Sequence, residues 1–234
     1  GVFTLLKVTI YIFGGEFILS NDVTGGLIWM AAATILIASM VAMTKDNLKA
    51  RLAYSTVSQL SYIVLGAMLA SKAGLIGASM HIAMHAFAKI TLCFGAGAIM
   101  VASHKKRVSE LNGLGRAMPV TFAAFLIGTL SIIGLPPFGG MWSKWYLALG
   151  AVETTQLLLL AVLMISSLLN IMYLLPIPVR AFFSKPDSGE HYTEIAEAPK
   201  SMLLAMVITS TACVILFFYP DPFYRLAGLA AGGY

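Results

Sequence analysis

The residues most able to do chemistry in this 234-residue chain are basic side chains embedded in apolar sequence. His81, His85 and Lys89 recur at i, i+4 and i+8 within Met80-His81-Ile82-Ala83-Met84-His85-Ala86-Phe87-Ala88-Lys89. On a helix this spacing confines them to one narrow face, each about 6 Å above the last, a gap that one water can bridge. Histidine titrates near neutrality, and an apolar setting disfavours the charged form of lysine, so the trio reads as a proton relay. The bland alternative is two carbonyl-bonded histidines and a lysine that snorkels to the headgroups. No carboxylate, cysteine pair or second histidine-bearing helix completes a metal or haem site, so no metal and no cofactor is expected.

Two more lysines share this setting. Lys144 follows Gly134-Leu135-Pro136-Pro137-Phe138-Gly139-Gly140 by one turn, beside Trp142, Trp145 and Tyr146. It reads as a functional amine next to irregular backbone, against an interfacial snorkeller in an aromatic belt. Lys7, two turns before Gly14-Gly15, fits channel lining and snorkelling equally. The run Tyr54-Ser55-Thr56-Val57-Ser58-Gln59-Leu60-Ser61-Tyr62 is unusually polar. Tyr54, Ser55 and Ser58 are candidates to line a wet path, or else helix–helix glue.

These residues must be held by membrane helices. The chain is 59% hydrophobic and 11% charged, whereas a soluble domain carries about 25% charged residues. That excludes a soluble fold, a disordered chain, a disulfide scaffold and a nucleic-acid-binding domain. Cys93 and Cys213 read as reduced core residues. A span needs about 20 apolar residues, and the apolar runs fall near 1–15, 24–43, 53–70, 74–102, 118–151, 155–183 and 199–219. The expectation is an all-α polytopic membrane protein of about seven transmembrane helices, a single transmembrane unit over 1–234. The stretch 184–200 is its one sizeable polar loop, on the cytoplasmic side.

The run 118–151 overshoots a bilayer: 34 residues make a straight helix of about 51 Å. Pro136 and Pro137 remove donors and clash with the preceding turn, so the helix breaks there. Broken backbone at membrane depth is tolerated only where it is buried or lines a wet cavity, as in transporters.

Alternating loops place ten basic residues on one side, from Lys45, Lys49 and Arg51 through Lys105, Lys106, Arg107 and Arg116 to Arg180, Lys185 and Lys200. Only Lys72 and Arg225 fall on the other. The positive-inside rule then sets the first residue on the cytoplasmic side, and the net charge of +5 is a topology signal. Lys7, Lys89 and Lys144 are left inside the membrane, and all ten acids lie in loops or at helix ends. The opening Gly1-Val2-Phe3 is already inside an apolar run and lacks signal-peptide features, so the chain reads as the C-terminal portion of a longer protein.

Four stretches resemble one family. Asp46 to Ser58 resembles the "DxKRxxAYSSVSH" segment of the antiporter-like subunits of respiratory complex I, membrane-bound hydrogenases and Mrp cation/proton antiporters. His81–Lys89 resembles their "HxxxHAFxK" helix, Gly113–Pro119 their "GLGRxMP" start of the broken helix, and Gly134–Lys144 their "GLPPFxGFxxK". The resemblance implies a fold of fourteen helices in two inverted repeats, of which this chain supplies helices eight to fourteen. An essential glutamate–lysine pair would lie in the missing half. His81, His85 and Lys89 become connecting relay residues, and Lys144 the terminal lysine of the second half-channel. One complex I subunit type carries Glu where Lys144 stands, which disfavours that type. The run Trp142 to Gly150 is most similar to the Mrp D subunit.

The function implied is proton translocation within a multisubunit Na+/proton antiporter of the bacterial cell membrane, with other membrane subunits, the lipid bilayer, protons and Na+ as partners and no nucleic acid. The chain is expected to be a transporter subunit, not an enzyme. The rivals are a proton-pumping subunit of an NADH-quinone oxidoreductase or hydrogenase, and a structural scaffold whose lysines only snorkel.

Overall fold

The computed structural model describes residues 1–20, 22–186 and 195–232, so the core of the polar loop expected over 184–200 lies outside the described residues. In chain order the helices are α1 (Val2–Val8), a π-helical turn (Thr9–Phe13), α2 (Gly14–Ser20), α3 (Asp22–Thr44), α4 (Leu48–Met68) and α5 (Lys72–Ser103). They continue with α6 (Pro119–Ile133), α7 (Gly140–Glu153), α8 (Leu157–Leu174), α9 (Pro176–Phe183), α10 (Lys200–Phe218) and α11 (Asp221–Ala230). Thr24–Thr44, Lys72–Ser103, Leu157–Phe183 and Lys200–Phe218 are each long and apolar enough to cross a membrane. Their outward side chains are large and apolar, with Ile37, Leu168 and Leu204 more than half exposed, while serine, glutamine, asparagine and histidine are buried between helices. Polar inside and apolar outside is the packing expected when the solvent is lipid.

Local chemistry sets the ends. Asn47 caps α4, its Oδ1 accepting from Ala50 N at 3.1 Å, so the helix starts ahead of the apolar run at 53. Ser71 caps α5 in the same way through Gly74 N at 3.0 Å. The cap of α6 comes from a distant segment: Glu197 accepts from Val120 N at 2.6 Å and from the Thr121 hydroxyl at 2.6 Å. A carboxylate there also meets the positive end of the helix dipole.

The run 118–151 is two helices. Gly134 closes α6 with a positive φ of 88° that favours glycine, and Pro136-Pro137 lies in the 134–139 connection before α7. One freed donor is satisfied from outside, Gly139 N giving 2.8 Å to Cys213 O on α10. α7 packs on α5 with backbones in contact: a Cβ at Gly77 would stand 2.6 Å from Leu147 N, and one at Gly150 2.6 Å from Gly74 N. Small residues at such crossings are what allow membrane helices to close up.

The two ends of the bundle differ. At one, Leu48 N donates to Lys106 O and Val108 N to Asp46 O. Asp46 also receives the Ser109 hydroxyl at 2.7 Å and its N–H at 3.0 Å. The Ser109 hydroxyl, ahead of the charges of Arg107 and Arg51, holds the Asp46 carboxyl below the usual carboxylate range. Gly113 N reaches Arg180 O, and Ala196 N reaches Ala117 O, gathering the basic loops on this end. At the other end Glu153 accepts from Ala73 N at 3.4 Å, and the ring of Tyr224 of α11 lies tilted against that of Tyr146, 5.4 Å between centroids. Cys213 is buried but Cys93 is exposed on the outer surface, so only the former is a core thiol.

Candidate functional site

α5 carries its file into the seam between α4 and α7. His81 and His85 are buried and stack ring on ring at 5.7 Å between centroids. Tyr62 of α4 stacks on the other side of His81 at 5.6 Å. His81 Nδ1 lies 2.9 Å from Ser143 Oγ of α7. Ser143 also donates to Gly140 O at 3.1 Å. The Ser143 hydroxyl is thus shared between Gly140 O and His81 Nδ1, and the donor and acceptor roles of the two His81 nitrogens follow from the ring's tautomer. His81 Nε2, His85 Nδ1 and Lys89 Nζ are all buried with no protein hydrogen-bond partner. Lys89 is only 8% exposed, beside the helix contact where a Cβ at Gly128 would stand 3.2 Å from Ala88 O.

Lys144 is placed by the helix break. Its aliphatic stem runs over Gly134, where an added Cβ would stand 2.8 Å from its Cδ. Its amine donates to Ile133 O at 3.0 Å and to Ser167 Oγ of α8 at 3.2 Å, and lies 5.2 Å from the Tyr62 ring centroid. Ile133 is the last residue of α6, so its carbonyl belongs to the negative end of a half-helix. A cation is stabilised there by that dipole and by the aromatic face. Lys144, Ser167, Trp145 and Leu168 line a cavity of about 580 Å3 between the break, α7 and α8. Lys144 is also close enough to His81 and His85 to interact with both electrostatically, as Lys89 is to His85.

Of the residues singled out in the sequence, the structure brings together His81, His85, Lys89 and Lys144, whereas Ser58 is buried against α3, bonded to Ser39 and to Ile35 O, and Ser55 is buried on the same helix. Tyr54 is not among them. It is 37% exposed, one helical step away from Ser55, and lies under the Lys45 amine. Lys7 is exposed and lines a separate apolar cavity of about 340 Å3 with Ile82, Ala83 and Phe223. Several contributors escaped the sequence reading. Ser143, Ser167 and Asn170 are neutral residues inside apolar runs, and Gln59 is one amide within the polar run around Ser58. Their only sequence signal is an amide or hydroxyl in register with a lysine one helix away, which needs the packing to be visible.

Residues 1–170 match the NADH:quinone oxidoreductase/Mrp antiporter transmembrane family. The chain belongs to that family. Within it, NADH-quinone oxidoreductase subunit N of Desulforudis audaxviator is 39% identical over 82% of this chain and 40% of the relative. Hydrogenase-4 component B of Escherichia coli is 30% identical over 92% of this chain and 35% of the relative. The chain therefore spans less than half the length of these curated relatives. In fold it is similar to a chain of the Mrp complex from a Dietzia species, with a TM-score of 0.87 and 22% identity over 98% of this chain and 50% of that one. A chain of respiratory complex I from Thermus thermophilus gives 0.80 and 22% over 99% and 49%. The chain thus shares its overall all-helical fold with chains of both assemblies.

Proposed function

We propose that the chain is a proton-translocating module of an antiporter-like membrane subunit, in which protons step among Lys89, His85, His81 and Lys144. The observation that carries this is the contiguous stack Lys144–Tyr62–His81–His85, with three buried basic nitrogens along the file left without protein partners. Groups that merely glued helices together would have closed those bonds, since an unpaired buried donor or acceptor is costly. Buried polar groups of this kind are where internal water binds, and water between bases is what proton hopping needs. The cation at the α6 terminus is a station whose charge the half-helix stabilises.

Two assemblies fit this module. The relatives found by sequence are subunits of quinone oxidoreductases and of a hydrogenase, which supports a redox-driven pump. Na+/proton exchange is the second reading, supported by the Trp142–Gly150 run and by the likeness in fold to the Mrp complex. Either places the chain beside other membrane subunits in a cell membrane, with the basic-loop end cytoplasmic. The test is Lys144→Ala and Lys89→Ala in the full-length protein within its assembly. Both abolish proton movement in sealed vesicles while the protein still inserts. Undiminished transport by both variants would return the lysines to a scaffold role.

A further inference from the structure

The end of the bundle that gathers the basic loops holds a cavity apart from the charged file. Its volume is about 210 Å3, and it lies between the start of α4 and the last turns of α5, lined by Asn47, Lys49, Ala96, Met100, Lys105 and Lys106. Local structure builds it. α5 ends at Ser103, and His104 turns the chain back through a φ of 56°. Lys106 O then accepts from Leu48 N at 3.0 Å, which sets Lys105 and Lys106 across from Lys49 in the first turn of α4.

The charge of this corner is not answered by the protein. Three lysines share one small cavity, and the first turn of α4 contains no acidic residue. That turn adds the positive end of a helix dipole, where a lysine is disfavoured and an anion is welcome. The nearby carboxylates are turned elsewhere. Asp46 receives the Ser109 hydroxyl and N–H, and Glu110 Oε2 accepts from the backbone N–H groups of Lys106 at 3.2 Å and Arg107 at 3.0 Å. Lys49 Nζ lies 3.4 Å from Met100 Sδ, a weak acceptor, and among the described residues it meets no carboxylate.

The cavity is also amphipathic along the membrane normal. Ala96 stands seven residues before the end of α5, about 10 Å deeper, whereas the headgroup layer on each side of a bilayer is about 5–8 Å thick. Its mouth is therefore cationic at headgroup depth and its floor apolar at acyl-chain depth. Just further in along α5, Cys93 and Phe94 are exposed on the outer surface, so the apolar floor continues toward lipid. A soluble anion would use the mouth alone; an anionic amphiphile would use both.

We propose that this corner is a binding site for an anionic phospholipid of the leaflet at the basic-loop face. The phosphodiester sits among the ammonium groups of Lys49, Lys105 and Lys106 and the first turn of α4. One acyl chain follows Met100 and Ala96 toward Cys93. Basic pockets between membrane helices are the form that such headgroup sites take. The bound lipid spans the start of α4 and the end of α5 and braces that corner. None of the cavity's residues belongs to the α5 file or to the station at Lys144, so the site stands whether or not those residues carry protons.

The experiment uses the full-length protein in its assembly, in neutral detergent, titrated with phosphatidylglycerol. Phosphatidylcholine with the same acyl chains, glycerol 3-phosphate and inorganic phosphate are titrated separately. Binding is read by native mass spectrometry and by the rise in Tm that a ligand of the folded state produces. Phosphatidylglycerol binds and raises Tm, and the other three do so at least about tenfold more weakly. Lys49→Gln with Lys106→Gln weakens phosphatidylglycerol binding about thirtyfold, the effect of two lysines at a membrane surface. Lys106→Glu alone makes the same change of charge on an exposed loop side chain, leaves α4 intact, and weakens binding as much. Arg116→Gln with Lys200→Gln removes equal charge from the same face outside the cavity and leaves binding as in the parent. Unchanged binding in both the Lys49/Lys106 and Lys106→Glu variants, or equal loss in the Arg116/Lys200 variant, overturns the site. Phosphatidylcholine binding as tightly as phosphatidylglycerol removes the headgroup from the proposal and overturns it. Phosphate or glycerol 3-phosphate binding as tightly makes it a site for a soluble anion and overturns the lipid.

Discussion

Two polar seams cross this bundle, and they are built from different chemistry. The α5 seam holds imidazoles and an amine, with the two rings stacked, His81 fixed by Ser143, and His85 Nδ1 and Lys89 Nζ without protein partners. The α4–α8 seam holds amides and hydroxyls, linked through the shared acceptor Asn170 Oδ1. Lys144 borders both, through the Tyr62 ring that stacks on His81 and through its bond to Ser167. The first seam can store protons, whereas the second, with no group that ionises near neutral pH, cannot. Lys144 stands where the two converge, at the terminus of a broken helix.

The largest effect expected from breaking this division is at Lys144. Lys144→Ala removes the basic group that borders both seams and reduces vesicle proton transport by roughly a hundredfold or more, the scale on which proton-transferring side chains act. Lys89→Ala acts in the same direction, because it empties the far end of the α5 file. A dye reporting internal pH measures both, with membrane insertion checked by protease protection.

Next comes His81. His81→Phe keeps the ring stack with Tyr62 and His85 but removes both nitrogens, and transport falls about tenfold. Ser143→Ala, which frees Nδ1 without removing it, costs less. If the two variants behaved alike, the file would be a packing element rather than a relay, and comparing their initial rates decides it.

A smaller effect is expected for Tyr62→Phe. The ring stays against Lys144 and His81, and only a buried hydroxyl facing Ser166, Ser167 and Asn170 is lost. Transport drops a few-fold as the surroundings of Lys144 lose a polar group, and thermal stability in detergent hardly changes. A large stability loss would show that the hydroxyl chiefly ties α4 to α8.

The smallest effect lies outside the membrane. Asp46→Asn weakens the tie to Ser109 and costs at most about 1 kcal/mol, because the carboxylate is exposed and solvent-screened. Its carboxyl is held below its ordinary value in the fold, so the stabilisation is present above the unfolded-state value. It is lost as the pH falls through the folded-state value. Melting curves of Asp46→Asn and the parent should therefore converge in acid while neither seam is affected.

Much of this arrangement could be read from residue order. The tandem prolines mark the break, the i, i+4, i+8 spacing marks the α5 file, and a lysine after Gly139-Gly140 marks the station. The neutral seam was legible only in part. Tyr54, Ser55 and Ser58 share one polar run, yet adjacent residues on a helix point about 100° apart, so Ser55 faces inward while Tyr54 lies outside. Asn170 and Ser167 sit in a leucine-rich run with no charge to draw attention. Their meaning comes from Gln59 and Lys144, which are distant in sequence and meet them only in the packed bundle. Glu197 capping α6 is legible no earlier, since the bond spans 76 residues to Thr121.

The central claim is that Lys144 exchanges protons with the α5 file. It is tested most directly by reconstituting the full-length assembly with Lys144→Ala and measuring proton flux across sealed vesicles. The account requires flux to fall to the background of protein-free vesicles with insertion and subunit assembly intact. Flux at the parent rate would contradict it.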